Sequence, residues 1–386
     1  MMRKAGFRRW QKGAGVVMTS FVLAGCSWFS PSDPRYEPTP LTEYPAQISA
    51  AAGWNVSIGS GSGPGFVPQL VGESVYAAAP NGSVVKVALG SGAVQWRADA
   101  DIPLSAGAGS DGVTTAVAGP DGTVVAFNDQ GQEKWRAKAS SEVFIPPAVG
   151  EGIVAVRSSD YRIQAFDANT GDLLWSLQRP GPALALKTSM QMLIIEGVVI
   201  SGLPNGRVIV IDARNGAVQW EGNVSSARGA TDLERINDVV GKPLALGPLL
   251  CAASYQGRIV CFDVSQGGVP IWEQRFSTSQ GIVADSQQVY AANQRDVAYA
   301  FSLNDGTERW KQEQLRNRRL SGPAVVPQAV AYGDLDGYVH FLSRVNGDLL
   351  GRVQVGSGPI VSPLVSTPRG VLVQTDGGNL VLVGVN

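Results

Sequence analysis

The sequence contains few of the residues on which most enzyme and metal sites depend. Its 386 residues include one histidine, His340, and three cysteines, Cys26, Cys251 and Cys261. A single histidine without a spaced partner is typical of a structural position, and the cysteine spacing does not match a metal site. The sequence also has no G-x-S-x-G, P-loop or H-E-x-x-H motif. We therefore expect no catalytic site, no bound metal and no cofactor.

Charge is also scarce in this sequence. Charged residues make up 16% of the chain, and the net charge is −1. The first twelve residues hold five basic side chains and no acidic one, so removing those five charges from −1 leaves −6. A mildly acidic protein is not expected to bind nucleic acid as its main partner.

The N-terminus has the features of a targeting segment. The apolar stretch GAGVVMTSFVL, residues 13–23, follows the basic residues and is too short to span a bilayer. The next residues, Leu23-Ala24-Gly25-Cys26, resemble a bacterial lipobox. That resemblance implies a signal peptide over residues 1–25, cleavage before Cys26, diacylation of its sulfur and acylation of its new amino group. The alternative is an ordinary signal peptide followed by an unmodified cysteine.

Residues 26–52 are predicted to tether the lipidated cysteine to the rest of the chain. The segment is rich in Pro, Ser and Thr and has no clear period, which is typical of a flexible linker. The residue after Cys26 is Ser27 rather than Asp, which resembles the default sorting of lipoproteins to the outer membrane of Gram-negative bacteria. We therefore expect a lipid-anchored protein on the periplasmic face of the outer membrane.

What the sequence does contain is a repeat of about forty residues. Its clearest copy is DYRIQAFDANTGDLLW, residues 160–175, in which an alternating strand, a turn and a second strand end on tryptophan. Successive end positions lie 38 to 52 residues apart. Such a period predicts a β-propeller with one four-stranded blade per unit. We expect each terminal indole to lie between neighbouring blades and donate its N–H to a carbonyl; the positions are Trp54, Trp96, Trp135, Trp175, Trp220, Trp272 and Trp310.

The two ends of the repeat array complement each other. The last copy, GGNLVLVGVN, lacks the closing strand and its tryptophan, whereas AAGWNVSIG near the N-terminus contains both. Pairing these segments would remove two free sheet edges. We therefore predict an all-β fold over residues 53–386, an eight-bladed propeller of four-stranded antiparallel blades whose N-terminal strand closes the last blade. A seven-bladed ring is the alternative if Gly351, where tryptophan is expected, marks a degenerate blade.

Smaller features of the repeat have structural interpretations. Cys251 and Cys261 flank a short turn, so they form either a disulfide or two free buried thiols. Asp167 stands before a turn and is expected to cap its amides. The basic cluster RNRR, residues 316–319, is interpreted as a solvated loop, with contact to anionic lipid or a partner as the alternative.

Two consecutive connections between blades are longer than the others. Residues 176–204 and 221–255 span gaps of 30 and 36 residues between a blade's tryptophan and the next turn, against 23 to 26 elsewhere. Neighbouring long loops on a rigid ring favour one protruding, functional surface. We expect apolar anchors with a polar rim, formed by Leu184, Leu186, Lys187, Arg235 and Asp238. The alternative is that the leucines pack under their own loop.

The repeat unit resembles that of pyrroloquinoline-quinone dehydrogenases. The resemblance lies in QAFDANTGDLLW and its variants VIVIDARNGAVQW and IVCFDVSQGGVPIW. Membership of that family would imply a quinone site with a calcium ion and a pair of adjacent cysteines. This sequence has no adjacent cysteine pair and is much shorter. A quinone-dependent dehydrogenase is therefore only an alternative function. A cell-wall-binding propeller is a second alternative.

The combination of lipobox, Pro-rich tether and eight such blades resembles the BamB lipoprotein family of the outer-membrane β-barrel assembly machinery. The resemblance covers essentially the whole chain. It implies a non-catalytic scaffold that binds the periplasmic POTRA domains of the central barrel subunit, BamA, and aids insertion of outer-membrane proteins. Other lipoproteins of the machinery are further possible partners. The family's Leu-x-Leu-Arg motif corresponds to Leu184-Ala185-Leu186-Lys187, and its Asp-x-Asp motif to Asp238-Val239-Val240, where the second acid is missing.

Overall fold

The computed structural model describes residues 33–385, and within them it contains eight four-stranded antiparallel sheets. The predicted eight-bladed propeller is thereby confirmed, and the seven-bladed alternative is wrong. Residues 33–37 belong to a separate small unit and form one 3-10 helix, Pro34–Tyr36, capped by the carboxylate of Asp33. All strands belong to the unit that begins at Pro38. Cys26 and the signal peptide lie outside the described residues.

The first four blades each use four consecutive strands, ordered from the centre of the ring outwards. Their bounds are, for blade one, β2 (Gln69–Val71), β3 (Ser74–Ala78), β4 (Ser83–Ala88) and β5 (Val94–Asp99); for blade two, β6 (Gly109–Ser110), β7 (Thr115–Ala118), β8 (Thr123–Phe127) and β9 (Glu133–Lys138); for blade three, β10 (Ala148–Gly150), β11 (Ile153–Arg157), β12 (Arg162–Asp167) and β13 (Leu173–Gln178); and for blade four, β14 (Leu193–Ile195), β15 (Val198–Gly202), β16 (Arg207–Asp212) and β17 (Val218–Asn223).

The remaining blades follow the same order, except that blade eight takes its outermost strand from the N-terminus. Their bounds are, for blade five, β18 (Val239–Leu246), β19 (Leu249–Ser254), β20 (Arg258–Asp263) and β21 (Val269–Arg275); for blade six, β22 (Ile282–Ala284), β23 (Gln288–Ala292), β24 (Ala298–Ser302) and β25 (Glu308–Gln312); for blade seven, β26 (Ala324–Val325), β27 (Ala329–Gly333), β28 (Tyr338–Ser343) and β29 (Leu349–Gln354); and for blade eight, β30 (Val365–Thr367), β31 (Gly370–Gln374), β32 (Asn379–Val385) and β1 (Ala50–Ser57). A short 3-10 helix, Val264–Gln266, follows β20.

The ring is closed by the predicted pairing of the two ends of the array. β1 runs antiparallel to β32, with Trp54 opposite Leu382. Contacts between the strands of neighbouring blades then continue around the whole circle, from β2 and β6 through to β30, which contacts β2 again. Because β1 is the outermost strand of blade eight, the sheet does not end on a free β32 edge.

Burial follows from this stacking of blades. The middle strands, such as β11, are buried along their whole length because a neighbouring blade covers each face. Outermost strands, such as β13, are mostly exposed because they lie at the rim, and Trp175 is the one buried residue of β13. The cores therefore lie between blades: one joins Ile163 and Trp175 of blade three to Val199 and Ile209 of blade four.

Each repeat tryptophan lies between its own blade and the next. Five of the seven donate the indole N–H to a carbonyl of the following blade at 2.7–3.1 Å: Trp54 to Leu89, Trp135 to Ala168, Trp175 to Ala213, Trp272 to Leu303 and Trp310 to Arg344. The ring also packs on a turn glycine. A β-carbon on Gly171, where φ is +79°, would lie 2.7 Å from Cδ2 of Trp135. The repeat therefore requires glycine for close approach as well as for the turn.

Trp96 is an exception because the turn that it faces is shorter. In that turn the N–H of Gly131 bonds to the carbonyl of Asn128, three residues back, whereas the N–H of Gly171 reaches four residues back to Asp167. The shorter turn does not present a carbonyl to Trp96. Its buried indole N–H accordingly has no hydrogen-bond partner within residues 33–385.

The missing tryptophan of blade seven is replaced by the N-terminal segment. Ile48 lies against Gly351, and the N–H groups of Gln47 and Ile48 bond to the carbonyl of Leu350 at 2.7 and 3.3 Å. The sequence predicts a propeller that starts at residue 53. In the structure β1 begins at Ala50, and part of the proposed tether, residues 39–48, already contacts blade seven and the loop before it.

The structure decides two local predictions, the state of the cysteine pair and the environment of the basic cluster. Cys251 and Cys261 lie directly opposite each other in β19 and β20 and form a disulfide, so the alternative of two free thiols is wrong. The solvated-loop interpretation of residues 316–319 is wrong for Arg318, which is buried and pairs with Asp334 at 2.8 Å. Buried Asp334 also bonds to Nε2 of His340 at 2.8 Å, which places the single histidine in the core of blade seven.

The capping role predicted for Asp167 is confirmed. Oδ1 of Asp167 accepts the N–H groups of Asn169 and Thr170 at 2.8 and 2.9 Å. These hydrogen bonds favour the ionised carboxylate and lower the pKa of Asp167.

Candidate partner-binding site

The structure brings the two long connections together on one face of the ring. The first runs over residues 179–192, between β13 and β14, and the second over residues 224–238, between β17 and β18. The N–H of Gly241 bonds to the carbonyl of Ser189 at 2.7 Å, and the N–H of Gln191 bonds back to Gly241 at 3.1 Å. The backbone thus ties the first connection to the start of β18.

The sequence predicts Asp238 at the polar rim of the contact surface. In the structure it lies inside the protein instead. The residue is fully buried, and its Oδ2 accepts the backbone N–H of Leu186 at 3.0 Å. Burial raises the pKa of Asp238 to about 6, although the Leu186 hydrogen bond and the charge of Arg157 act in the opposite direction. This carboxylate therefore holds the loop that carries Leu184 and Leu186 instead of offering a surface charge.

The two leucines of the first connection have different environments. Leu184 is 43% exposed and stands at the surface. Leu186 is half-buried and packs on the core between blades three and four. Next to it, Nζ of Lys187 lies 4.4 Å from the centroid of the Phe144 ring, a cation–π contact across to the loop before blade three. The alternative of leucines packed under their own loop thus applies to Leu186 and not to Leu184.

Arg235 lies on a compact turn of the second connection. Oε2 of Glu234 accepts the N–H groups of Ala230 and Thr231, and Oγ1 of Thr231 accepts the N–H of Glu234. This reciprocal capping fixes the turn. Arg235 is exposed and donates from Nε to the carbonyl of Gly229 at 3.3 Å. Its side chain is therefore held by its own loop and not by Asp238.

A cavity of about 460 Å³ opens beneath Leu186 and Lys187. Its lining includes Arg157, which is not among the residues predicted from the sequence. Arg157 is buried and donates to the carbonyl of Gly202 and to the sulfur of Met190. Burial lowers its pKa to about 10, while nearby Asp238 favours the charged form. The cavity thus combines apolar walls with one buried cation and one buried carboxylate.

A signal for Arg157 was present in the repeat. Arg157 is the last residue of β11 and pairs with Ile163 of β12. Small residues occupy the equivalent position in six other blades: Ala78, Ala118, Gly202, Ala253, Ala292 and Gly333. An arginine at a position otherwise held by alanine or glycine indicates a local role, which strand alternation alone does not reveal.

The two loops and the cavity present apolar side chains and a defined surface shape, and few reactive groups. Within residues 33–385, no cluster of three or more His, Cys, Asp or Glu side chains could hold a metal ion. No helix among the described residues is long and apolar enough to cross a membrane. The exposed Leu184, the held loop and the cavity beside it fit recognition of another protein surface.

The fold places the chain in the class of eight-bladed propellers built from pyrroloquinoline-quinone-type repeats. Among solved structures it is similar to BamB from Moraxella catarrhalis, with a TM-score of 0.80 and 21% identity over 87% of this chain and all of that one. It is also similar to a quinohemoprotein alcohol dehydrogenase from Comamonas testosteroni, with a TM-score of 0.66 and 13% identity over 87% of this chain and 76% of that one. Both likenesses concern the fold alone.

Sequence comparison identifies the family. Residues 80–312 match the family model described as outer membrane protein assembly factor BamB. The chain is 56% identical to the protein of that name from Bordetella pertussis over the full length of both chains. It is 35% identical to the one from Burkholderia pseudomallei, over 96% of this chain and 97% of the relative. The chain belongs to the outer membrane protein assembly factor BamB family.

Proposed function

We propose that the protein is a non-catalytic lipoprotein scaffold of the outer-membrane β-barrel assembly machinery. In this proposal it binds the POTRA domains of the central barrel subunit, BamA, and helps outer-membrane proteins to assemble and insert. The observation that carries the proposal is full-length identity of 56% with a relative named as an assembly factor. The rigid ring with two joined loops on one face supports a binding role.

The proposed contact surface is centred on Leu184. This side chain is exposed on a loop whose backbone is held from below by Asp238. Lys187 lies beside the cavity mouth and Arg235 on the neighbouring turn. Apolar anchors ringed by polar groups are typical of interface hot spots. Asp238 contributes to the surface by supporting the loop from inside.

Binding of the full chain, purified in detergent, to the POTRA domains of the cognate subunit tests the proposal. Leu184→Asp is expected to weaken binding at least about tenfold, because it puts a charge at the centre of the contact. The control is Val345→Asp at an 85% exposed position of blade seven, which should bind like the parent. Parent protein that does not bind the POTRA domains contradicts the function, and Leu184→Asp that binds normally moves the surface elsewhere.

The proposed attachment is through lipid on Cys26, on the periplasmic face of the outer membrane. The lipobox-like residues Leu23 to Cys26 support it. Three acyl chains would anchor the protein firmly, where one chain gives only marginal binding. Cys26→Ser should move the protein from the outer-membrane fraction to the soluble periplasmic fraction. A variant that still fractionates with membranes would show that lipid is not the anchor.

A further inference from the structure

The cavity beside the proposed contact surface has the size and walls of a binding pocket. Its volume of about 460 Å³ lies within the range of about 300–1,000 Å³ that is usual for ligand sites. Phe66, Phe144, Ile145 and Met190 line its walls, and Leu186 contributes to its mouth. These side chains favour an apolar body, and the aromatic ones favour a flat ring.

Two buried oxygen atoms of the lining lack partners. Oδ1 of Asp238 and Oγ of Ser158 are buried and have no hydrogen-bond partner within the part of the chain that the structure describes. The Asp238 carboxylate uses its other oxygen for Leu186. A buried acceptor that is left unsatisfied destabilises the protein, and native proteins rarely contain one. An occupant that carries an N–H or O–H donor would satisfy Oδ1 of Asp238.

The buried charges further limit which side chains could occupy the cavity. Arg157 is buried in the same lining, so a lysine or arginine occupant would bring a second cation next to it. An aliphatic occupant would fill the walls but leave Oδ1 of Asp238 unpaired. Tryptophan and tyrosine are the side chains that combine an apolar ring with a single neutral donor.

We propose that this cavity is a socket for one aromatic side chain, a tryptophan or tyrosine, which the POTRA partner inserts when it docks. The inference rests on the proposed function and specifies how the partner is recognised. The ring would lie against Phe66 and Phe144, and its N–H or O–H would donate to Oδ1 of Asp238. Tryptophan and tyrosine are also enriched among the residues that dominate interface energies.

The socket is formed before binding because its roof is held at three points. The hydroxyl of Tyr161 donates to the carbonyl of Pro182 at 2.8 Å, and the N–H of Leu186 donates to Asp238 at 3.0 Å. The hydroxyl of Thr188 donates to the carbonyl of Ser279 at 2.5 Å. A loop that is already ordered loses less conformational entropy when the partner arrives.

The first test is Asp238→Asn in the full chain, with POTRA binding measured by calorimetry. Asparagine keeps an oxygen that accepts the Leu186 N–H, but it replaces the unpaired acceptor with an NH₂ donor. We expect binding to weaken about tenfold while the circular dichroism spectrum is unchanged. The control is Asp296→Asn in blade six, since Asp296 likewise accepts backbone N–H groups of a loop, those of Arg319 and Leu320, but has no unpaired oxygen.

The second test uses a small probe of the socket itself. N-acetyl-tryptophanamide should bind the full chain, shift the ring resonances of Phe144 and Tyr161, and compete with the POTRA domains. N-acetyl-leucinamide, which has no side-chain donor, should do so at least about tenfold more weakly. Asp238→Asn should remove this difference between the two probes.

The outcomes separate the socket from the proposed function. Asp238→Asn that binds the POTRA domains like the parent overturns the socket and leaves the function standing. Probes that bind equally, or not at all, also overturn it. If the tryptophan probe binds in an Asp238-dependent way but the parent does not bind POTRA domains, the socket is supported and the partner is another protein with exposed aromatic residues.

Discussion

Ile48 occupies the place in blade seven that tryptophan occupies in the other blades. Its Cγ1 lies 3.0 Å from where a β-carbon on Gly351 would be, and the Ile48 carbonyl oxygen lies at 3.1 Å. Around it, Arg352 donates to the carbonyl of Thr42 at 2.9 Å and pairs with Glu43 at 2.7 Å. The segment before β1 is therefore part of the propeller.

The first prediction concerns this replacement. Ile48→Ala should lower the free energy of unfolding by about 1–2 kcal/mol, less than for a fully buried site, because Ile48 is half-buried. Val345→Ala at a largely exposed position of the same blade should change it little. Urea unfolding measures both. Equal stability of Ile48→Ala and the parent would show that the segment does not support blade seven.

The second prediction compares two tryptophans that differ in one hydrogen bond. Trp175→Phe removes the N–H that donates to Ala213, whereas the buried N–H of Trp96 has no partner among the described residues. Phenylalanine should therefore cost about 1 kcal/mol more at position 175 than at position 96. Thermal unfolding of the two variants measures this difference. A larger cost at position 96 would contradict the assigned role of the indole N–H.

The third prediction concerns the bond between Cys251 and Cys261. Both side chains are fully buried, so the bond should survive reductant while the protein is folded. Denatured, unreduced protein should take up no iodoacetamide at either position by peptide mass spectrometry. The double variant Cys251→Ala with Cys261→Ala should lose about 2–4 kcal/mol of unfolding free energy. Alkylation of both cysteines without reductant would contradict the bond.

The fourth prediction follows from the buried carboxylate of Asp334. Burial acts to raise its pKa, but hydrogen bonds from His340, Tyr338 and Arg318 outweigh it and bring the pKa below the usual value. The stability that this group contributes is thus present above a pH of about 4 and is lost as the pH falls. Asp334→Asn should cost about 3 kcal/mol at pH 7 and less as the pH falls toward 3. Urea unfolding across this range measures it.

The control for this series is Asp101→Asn, which changes an 81% exposed side chain. It should show a small, nearly constant effect. A cost of Asp334→Asn that stays constant from pH 7 to 3 would mean that the carboxylate is not stabilised by these hydrogen bonds.

The fifth prediction concerns Asp238, whose contribution to stability depends on pH in the opposite direction. The pKa of Asp238 is raised to about 6 by burial, so its stabilising contribution is present below a pH of about 4 and is lost as the pH rises through 6. Asp238→Asn carries no charge at any of these pH values. The melting temperature of the variant relative to the parent should therefore rise between pH 4 and pH 7.5. A difference that does not depend on pH would contradict the raised pKa.

The architecture was predictable because it depends on a repeated local pattern. Alternating strands, turn residues and a tryptophan at intervals of 38 to 52 residues specify a blade, and stacking of blades specifies the ring. The closing role of β1 was also predictable, since the last repeat lacks what the segment around Trp54 contains. The turn aspartates cap amides only two or three residues away, which makes their role readable from order alone.

The candidate site was only partly predictable. The excess length of two connections pointed to the surface near Leu184, since loop length can be counted. The burial of Asp238 could not be predicted from residue order, because it accompanies a hydrogen bond to Leu186, 52 positions away. Arg318 was assigned to solvent for the same reason, because its partner Asp334 belongs to another strand connection.

The sequence by itself determined the number of blades, the way the ring closes, the family and the two loops that carry the candidate surface. These properties repeat along the chain or lie within a few residues of one another, so order and spacing are sufficient. Only the tertiary structure decided that Asp238 supports its loop from inside, that Arg157 lines a cavity, and that Ile48 stands in for a tryptophan. Each of these depends on burial and on contacts between distant segments, and such contacts exist only after the blades have packed.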